Sequence, residues 1–161
     1  MAPEGTTTRP TSDRVREATF NALTSLDAIA GVAVLDLFAG SGAMGLEALS
    51  RGASTATFVD SDARAVAAVR ANVRAAGFDD VAEVVRSDVA RHLDHAAGGV
   101  GLAILDPPYA WVDDAWAALL DALVADVAVL ESDRALAVPA TWEILRARRY
   151  GTTVITLAAR R

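Results

Sequence analysis

The sequence contains no cysteine and no lysine, and it has only two histidines, His92 and His95. The lack of cysteine excludes a disulfide framework, a thiolate zinc site and a cysteine nucleophile. Two histidines in a polar stretch are too few for a histidine metal site, and we expect both at the surface. No apolar run reaches the ~18 residues that cross a bilayer, and the start shows no signal-peptide pattern. We therefore expect a cytoplasmic protein that binds no metal.

Positive charge is also scarce. The 15 basic residues are outnumbered by 21 acidic ones, so the net charge is −6 and the isoelectric point is near 4.8. This balance argues against a general nucleic-acid coat. The arginines nevertheless cluster near both ends, where they either meet phosphates or form solvated surface. They are Arg9, Arg14 and Arg16 near the start, and Arg146, Arg148, Arg149, Arg160 and Arg161 near the end.

What is present is an ordinary globular composition. With 161 residues, 53% of them hydrophobic, the chain is long enough for one domain with a full core. Residues 1–11 are polar with Gly and Pro, which predicts a flexible N-terminal segment. Residues 12–161 are predicted to form the domain, which begins with a helix near Asp13 that Ser12 or Thr11 caps.

Strands and helices then alternate along the chain. Apolar runs predict strands at 32–37, 56–59, 81–85, 101–105 and 127–130, and helices at 43–51, 63–76, 89–95 and 113–125. Residues 142–150 are compatible with a helix, or with a hairpin that includes 152–157. Alternation of this kind indicates a parallel sheet covered on both faces, with ligands at the carboxyl ends of the strands.

A glycine-rich turn follows the first strand. Gly40, Gly42 and Gly45 fit the pattern G-x-G-x-x-G, which suits either a dinucleotide pyrophosphate or S-adenosylmethionine. Asp36 favours the second ligand, because a carboxylate repels a pyrophosphate but accepts hydrogen bonds from an ammonium group. Asp60, which ends the next strand, can bind both ribose hydroxyls of either ligand.

Asp88 follows the third strand, and two roles are open for it. Its carboxylate could accept a hydrogen bond from an adenine amino group, or it could cap the helix that follows. The two roles are compatible.

The most specific string is Asp106-Pro107-Pro108-Tyr109, which follows the fourth strand. The prolines stiffen the turn and remove two N–H donors, so that the Asp106 carboxylate and the Pro107 carbonyl leave the site rich in acceptors. Two acceptors that bind the hydrogens of an exocyclic amine stabilise the charge that develops when the amine attacks a methyl group. Tyr109 would stack on the base.

This loop resembles the (Asp/Asn/Ser)-Pro-Pro-(Tyr/Phe/Trp) motif of class I methyltransferases that act on exocyclic amines. The segment Arg9-Pro-Thr-Ser-Asp-Arg-Val-Arg-Glu17, together with 34–49, is similar to the bacterial 16S ribosomal RNA guanine-N2 methyltransferases, the RsmD family. The resemblance runs from Arg9 to about Leu157. It implies a Rossmann-like α/β fold, with a seven-stranded, mostly parallel sheet, helices on both faces and a C-terminal antiparallel hairpin.

The resemblance also implies the reaction and its participants. S-adenosylmethionine is the expected methyl donor, and the substrate is N2 of a guanine in 16S ribosomal RNA, naked or in a partly assembled small subunit; a monomer is expected. The catalytic residues would be Asp106, Pro107 and Tyr109, and the base and RNA would contact Pro108, Tyr109, Arg9 and Arg16. The cofactor would contact Asp36, Phe38, Ala39, Gly40, Ser41, Gly42, Asp60, Ser61, Asp88, Val89, Thr11 and Arg14.

One departure from the family concerns the start of the chain. Family members usually open with a short basic hairpin, and here Met-Ala-Pro-Glu-Gly stands in its place, which predicts weaker binding of RNA. Two alternatives remain: methylation of another exocyclic amine, such as adenine N6, or a cofactor-binding RNA assembly factor of low activity.

Overall fold

The computed structural model describes residues 12–108 and 111–161, which form five helices and seven strands. The helices are α1 (Asp13–Ser25), α2 (Ala43–Ser50), α3 (Ala63–Ala76), α4 (Val89–His95) and α5 (Asp113–Ala122). The strands are β1 (Ala33–Leu37), β2 (Thr55–Asp60), β3 (Ala82–Arg86), β4 (Val100–Leu105), β5 (Ala125–Ser132), β6 (Trp142–Tyr150) and β7 (Thr153–Arg160).

All seven strands belong to one sheet, in the order β3-β2-β1-β4-β5-β7-β6. The first five run parallel, whereas β7 runs antiparallel to both β5 and β6. The expected mostly parallel sheet with a terminal antiparallel hairpin is therefore confirmed. The strand order reverses between β1 and β4, and such a reversal opens a crevice at the carboxyl ends of these two strands.

Helices cover both faces of the sheet, as expected. On one face, Phe20 of α1, Met44 of α2 and Val69 of α3 pack into one apolar cluster with sheet residues that include Ile104 and Val129. On the other face, Val89 of α4 and the apolar side of α5 pack against residues such as Leu105 and Leu130. Central strands such as β4 and β5 therefore present alternate residues to two separate cores, which explains their continuous apolar runs in the sequence.

Local signals set the ends of two helices where the sequence predicts them. The Ser12 hydroxyl accepts a hydrogen bond from the Val15 N–H and caps α1. The Asp62 carboxylate caps α3 in the same way, through the Arg64 N–H. At the other end of α3, Gly77 adopts a left-handed conformation with φ of 77°, which stops the helix.

The structure corrects the predicted end of α5 and decides between helix and strand for residues 142–150. The prediction that a helix spans 113–125 is wrong at its end, because α5 stops at Ala122 and Leu123 turns to an extended conformation. Ala125 instead pairs with Val100 in the sheet, so that pairing between distant segments overrides local helix propensity. Of the two possibilities for 142–150, the strand is confirmed: β6 pairs with β7 along its length, with an irregularity between Ile144 and Arg146.

Candidate active site

Four acidic residues lie at the carboxyl ends of neighbouring parallel strands. They are Asp36 in β1, Asp60 in β2, Asp106 directly after β4 and Glu131 in β5. Side chains alternate along each strand, and neighbours in register share a face of the sheet. Ile104 and Val129 lie two positions before Asp106 and Glu131 and belong to the core beneath α1–α3. All four acids therefore belong to this face of the sheet, beside the crevice.

The loop between β1 and α2 borders the crevice and depends on glycine at two positions. Gly40 has φ of 58°, and a Cβ built there meets no atom within 4 Å, so its surface is open to a ligand. A Cβ on Gly45 would lie 2.4 Å from the Phe58 ring, so that only glycine lets α2 pack this closely on β2. Phe38, two residues before Gly40, also has a positive φ, of 59°.

Asp36 is buried beneath this loop. Its side chain is 3% exposed, and its Oδ2 accepts a hydrogen bond of 2.9 Å from the Gly45 N–H. Burial raises the pKa of Asp36 from 3.8 to about 8; the Gly45 hydrogen bond opposes this rise and the Asp60 charge adds to it. A carboxylate in this environment gains from a cationic partner, which would offset the cost of burying its charge.

Asp60 organises two turns at once. Its Oδ2 accepts a hydrogen bond from the Gly40 N–H at 3.0 Å, and its Oδ1 accepts one from the Asp62 N–H at 2.9 Å. Each carboxylate oxygen has a second lone pair, so both remain able to accept a hydroxyl. The neighbouring Ser61 is exposed beside it.

Two roles were open for Asp88, and the structure shows one of them, the cap of α4. Its Oδ1 accepts a hydrogen bond from the Ala90 N–H at 3.2 Å at the start of α4. The carboxylate is otherwise exposed, while the next residue, Val89, is buried in the core.

The Asp106-Pro107-Pro108 turn lies on the other side of the crevice. Burial raises the pKa of Asp106 to about 8, and the charges of Glu131 and then Asp36 raise it as well. Pro107 is buried and Pro108 is exposed. The Pro108 carbonyl accepts a hydrogen bond from the Trp111 N–H at 3.2 Å, which closes the turn. Tyr109, the expected stacking residue, lies outside the described residues.

Two residues of this region were missed at the sequence level. Trp111 packs edge-on against Phe38, with ring centroids 5.2 Å apart, and contacts Trp116 behind it, so that it joins the glycine-rich loop to α5. Glu131 is 5% exposed although it is charged. The only sequence signal for Glu131 was an acid directly after an apolar run, and the predicted strand ended one residue before it.

The expected N-terminal contacts are only partly described. Thr11 and Arg9 lie outside the described residues. Arg14 is exposed on α1, and Arg16 forms a salt bridge of 2.9 Å with Asp13 on the same helix. Ser41 and Ala39 lie in the glycine-rich loop; the Ser41 carbonyl accepts a hydrogen bond from Asn72, and the Ala39 N–H donates to the Val59 carbonyl.

The C-terminal arginines divide into two groups. The Arg160 guanidinium packs over the Trp142 ring at 5.3 Å and donates a hydrogen bond of 2.7 Å to the Leu123 carbonyl, so it serves the fold. Arg148 and Arg149 are exposed on β6 near the hairpin turn. This turn lies at the same end of the sheet as the four acids, because Val154 pairs with Ser132 at the end of β5.

Within 12–108 and 111–161, no group of three or more His, Asp or Glu side chains could hold a metal ion. The helices in these two segments include none that is long and apolar enough to cross a membrane.

Comparison with known proteins adds a family and several relatives. Residues 1–159 match the family described as Conserved hypothetical protein 95. YlbH of Bacillus subtilis (strain 168), which carries the description of a proposed rRNA methyltransferase, is 44% identical over 111 residues, or 67% of this chain and 59% of YlbH. Ribosomal RNA small subunit methyltransferase D of Escherichia coli (strain K12) is 41% identical over 107 residues, or 66% of this chain and 52% of that protein. The matches thus span little more than half the length of these curated relatives.

A solved structure extends the similarity to the fold. The protein yhhF of Escherichia coli, described as a proposed methyltransferase, superimposes with a TM-score of 0.81 at 34% identity. The superposition covers 94% of this chain and 87% of yhhF.

Proposed function

Since the chain belongs to the RsmD family, whose description is Conserved hypothetical protein 95, we propose that it methylates N2 of a guanine in 16S ribosomal RNA with S-adenosylmethionine as methyl donor. Its fold is that of the class I methyltransferases. The observation that carries the proposal is the meeting of the glycine-rich loop and the Asp106-Pro107-Pro108 turn across one crevice, with buried acids between them. The name of the Escherichia coli relative supports small-subunit ribosomal RNA as the substrate, and the resemblance of the sequence motifs supports guanine N2.

The cofactor fits the residues that border the crevice. Asp36 would bind the ammonium group of the methionine part, since burial leaves this carboxylate in need of a cation. Asp60 would accept the ribose hydroxyls with the lone pairs that its backbone contacts leave free. The open surface at Gly40 would allow the ligand to approach the backbone. We assign further contacts to Phe38, Ala39, Ser41, Gly42, Ser61, Asp88 and Val89, and to Thr11 and Arg14 from the N-terminal side.

The chemistry requires little from the protein beyond placement and electrostatics. When bound, the cofactor supplies an electrophilic methyl group on a positively charged sulfur. Asp106 and the Pro107 carbonyl would accept the two N–H groups of the amine and direct its lone pair toward that methyl group. As the nitrogen forms its new bond to carbon, the carbon–sulfur bond would break and its electron pair would stay on sulfur as a neutral thioether. The nitrogen would become positively charged, and two nearby acceptors would stabilise that charge. A carboxyl group with a pKa of about 8 is also well matched to take up the proton that the nitrogen then loses.

The base must be presented to this turn. Tyr109, Pro108 and the N-terminal Arg9 and Arg16 are the residues we assign to the base and its RNA. A guanine within a helix would first have to be extruded from the stack, which requires a few kcal/mol. Stacking of the base on an aromatic ring contributes about 1–3 kcal/mol of binding free energy. The substrate would be 16S ribosomal RNA, either naked or in a partly assembled small subunit, and the substrate test below compares the two. We expect the protein to act on it in the cytoplasm, as a monomer.

Replacement of Asp106 tests the assigned chemistry. We expect Asp106→Ala to reduce methyl transfer at least about a hundredfold, since it removes one preorganised acceptor from the transition state. Binding of S-adenosylmethionine should stay within about twofold of wild type. Transfer of a radiolabelled methyl group and calorimetry measure the two quantities. Retained turnover in Asp106→Ala would contradict the role of this residue.

The substrate is tested separately. Mapping of methylated guanines in 16S ribosomal RNA from cells with and without the gene should show one N2-methylguanine that depends on the gene. Methylation confined to DNA adenine would favour the adenine-N6 alternative. Cofactor binding with no methylated product on naked RNA or assembling subunits would favour an assembly factor. Binding of NAD in place of S-adenosylmethionine would contradict the cofactor assignment.

A further inference from the structure

The two acceptors assigned to the amine do not explain a choice of guanine. Guanine and adenine both carry an exocyclic amine with two N–H donors. The adjacent ring atom differs: beside its amine, guanine has N1–H, which is a donor, whereas adenine has a bare N1, which is an acceptor. A carboxylate beside Asp106 would therefore distinguish the two bases, because it accepts hydrogen bonds and donates none.

Glu131 occupies that place. Leu105 pairs with Leu130, so Asp106 and Glu131 follow at neighbouring positions on adjacent strands, which lie about 4.8 Å apart. Their side chains belong to the same face of the sheet, as the packing of Ile104 and Val129 in one cluster shows. Glu131 is 5% exposed, and its charge contributes to the raised pKa of Asp106, which agrees with their neighbouring positions on adjacent strands.

We propose that Glu131 determines specificity for guanine by accepting a hydrogen bond from N1–H while Asp106 and Pro107 bind the adjacent amine. This inference rests on the proposed function. Three donors along one edge of guanine would then meet three acceptors. With adenine, the Glu131 carboxylate would face the N1 lone pair, and two acceptors that face each other repel. Sites built in this way discriminate strongly against a base that lacks the donor.

The test uses a base analogue that keeps the 2-amine but lacks both N1–H and O6, and the change in base preference between wild type and the Glu131 variants isolates the N1 contact. The methylated guanine is first mapped with wild-type protein, and the same RNA, naked or reconstituted into the particle that the enzyme accepts, is then prepared with 2-aminopurine at that position. This base keeps the 2-amine but has a bare N1. Wild type should prefer guanine to 2-aminopurine by at least about tenfold in kcat/KM. Glu131→Gln, whose amide can donate to a bare N1, should lower that preference by about tenfold or more.

The design separates specificity from folding. Both RNAs are assayed with the same preparation, so the fraction of folded enzyme cancels from the ratio. Glu131→Met, which removes both polar oxygens and retains the length, should also lower the ratio. Glu143→Gln makes the same chemical change on the exposed surface of β6 and should leave the ratio at the wild-type value.

Each outcome decides one question. A lowered ratio in both Glu131 variants supports the inference. An unchanged ratio in Glu131→Gln, even with lower activity on both RNAs, overturns it and leaves Glu131 a structural role. If wild-type protein methylates no guanine, the proposed function itself fails.

Discussion

At the scale of single residues, the crevice is characterised by carboxyl groups kept from water. Asp36 and Asp106 both have a pKa of about 8, and burial is the main cause in each case. Among residues 12–108 and 111–161, neither has a cationic partner close enough to rank among the causes of its pKa shift. A site with these properties is prepared for ligands that bring positive charge or N–H donors, which is what an ammonium group and an exocyclic amine provide.

The raised pKa of Asp36 predicts a pH dependence of stability. Between pH 4 and 8, the folded protein keeps a proton on Asp36 that the unfolded chain has released. The free energy of unfolding should therefore fall as pH rises across this range, by up to about 1.4 kcal/mol per pH unit from this group. Denaturant unfolding at several pH values, without ligand, measures it.

The matched variants isolate the Asp36 contribution. Asp36→Asn carries no titrating group, so its unfolding free energy should fall less steeply over this range than that of wild type. Asp80→Asn, which changes an exposed acid in the same way, should follow wild type. Equal slopes for Asp36→Asn and wild type would contradict the assigned cause.

At the scale of elements, each functional group lies where a strand passes into a helix or turn. The carboxyl end of β3 illustrates this, because Asp88 caps α4 through the Ala90 N–H and its carboxylate remains exposed to solvent. One side chain can therefore stabilise a helix and also bind the adenine amino group of a cofactor. Helix capping and binding of the adenine amino group can be tested separately, because a short side chain suffices for the cap whereas the base requires a longer one.

Asp88→Ser is the variant that separates them. Serine caps a helix about as well as aspartate, but it is too short to reach a base, so stability should change little while cofactor affinity falls about tenfold. Asp88→Ala should show the same loss of affinity and also lose about 1 kcal/mol of stability. Thermal unfolding and calorimetry with S-adenosylmethionine measure both. Wild-type affinity in Asp88→Ser would show that this residue is only a cap.

At the scale of the whole molecule, an acidic protein is proposed to bind a polyanion. The net charge of −6 requires that local charge, and not the total, attracts the RNA. Arg148 and Arg149 supply such charge on the edge strand β6. Arg148 pairs with Ile155, which pairs with Glu131, so the backbones of Arg148 and Glu131 lie two strands, or about 10 Å, apart. A phosphate near the methylated base could reach this edge.

Replacement of Arg148 tests this surface. Arg148→Ala should weaken binding of the RNA and reduce the salt dependence of the affinity by about one unit in the log–log slope, because one phosphate contact is lost. Affinity for the cofactor should not change. Arg70→Ala, an exposed position on α3 beside the opposite edge of the sheet, is the control and should bind RNA as wild type does. An unaltered slope in Arg148→Ala would exclude this edge from the RNA contact.

Much of the fold followed from local pattern in the sequence. Apolar runs and the Ser12 cap set strands and the first helix, because they act through the sterics and hydrogen bonds of neighbouring residues. The positions of Asp36, Asp60 and Asp106 at strand ends also followed, since parallel strands bring their carboxyl ends to one edge. The functional roles of these residues stay predictions.

The sequence by itself thus determined the type of sheet and the end of it that carries Asp36, Asp60 and the Asp106-Pro107-Pro108 turn. Only the tertiary structure decided which groups face one another: that Glu131 is buried beside Asp106, that Trp111 packs on Phe38, and that α5 stops so that Ala125 can enter the sheet. These contacts join residues far apart in the chain. They depend on strand order and register, which short-range preferences do not specify.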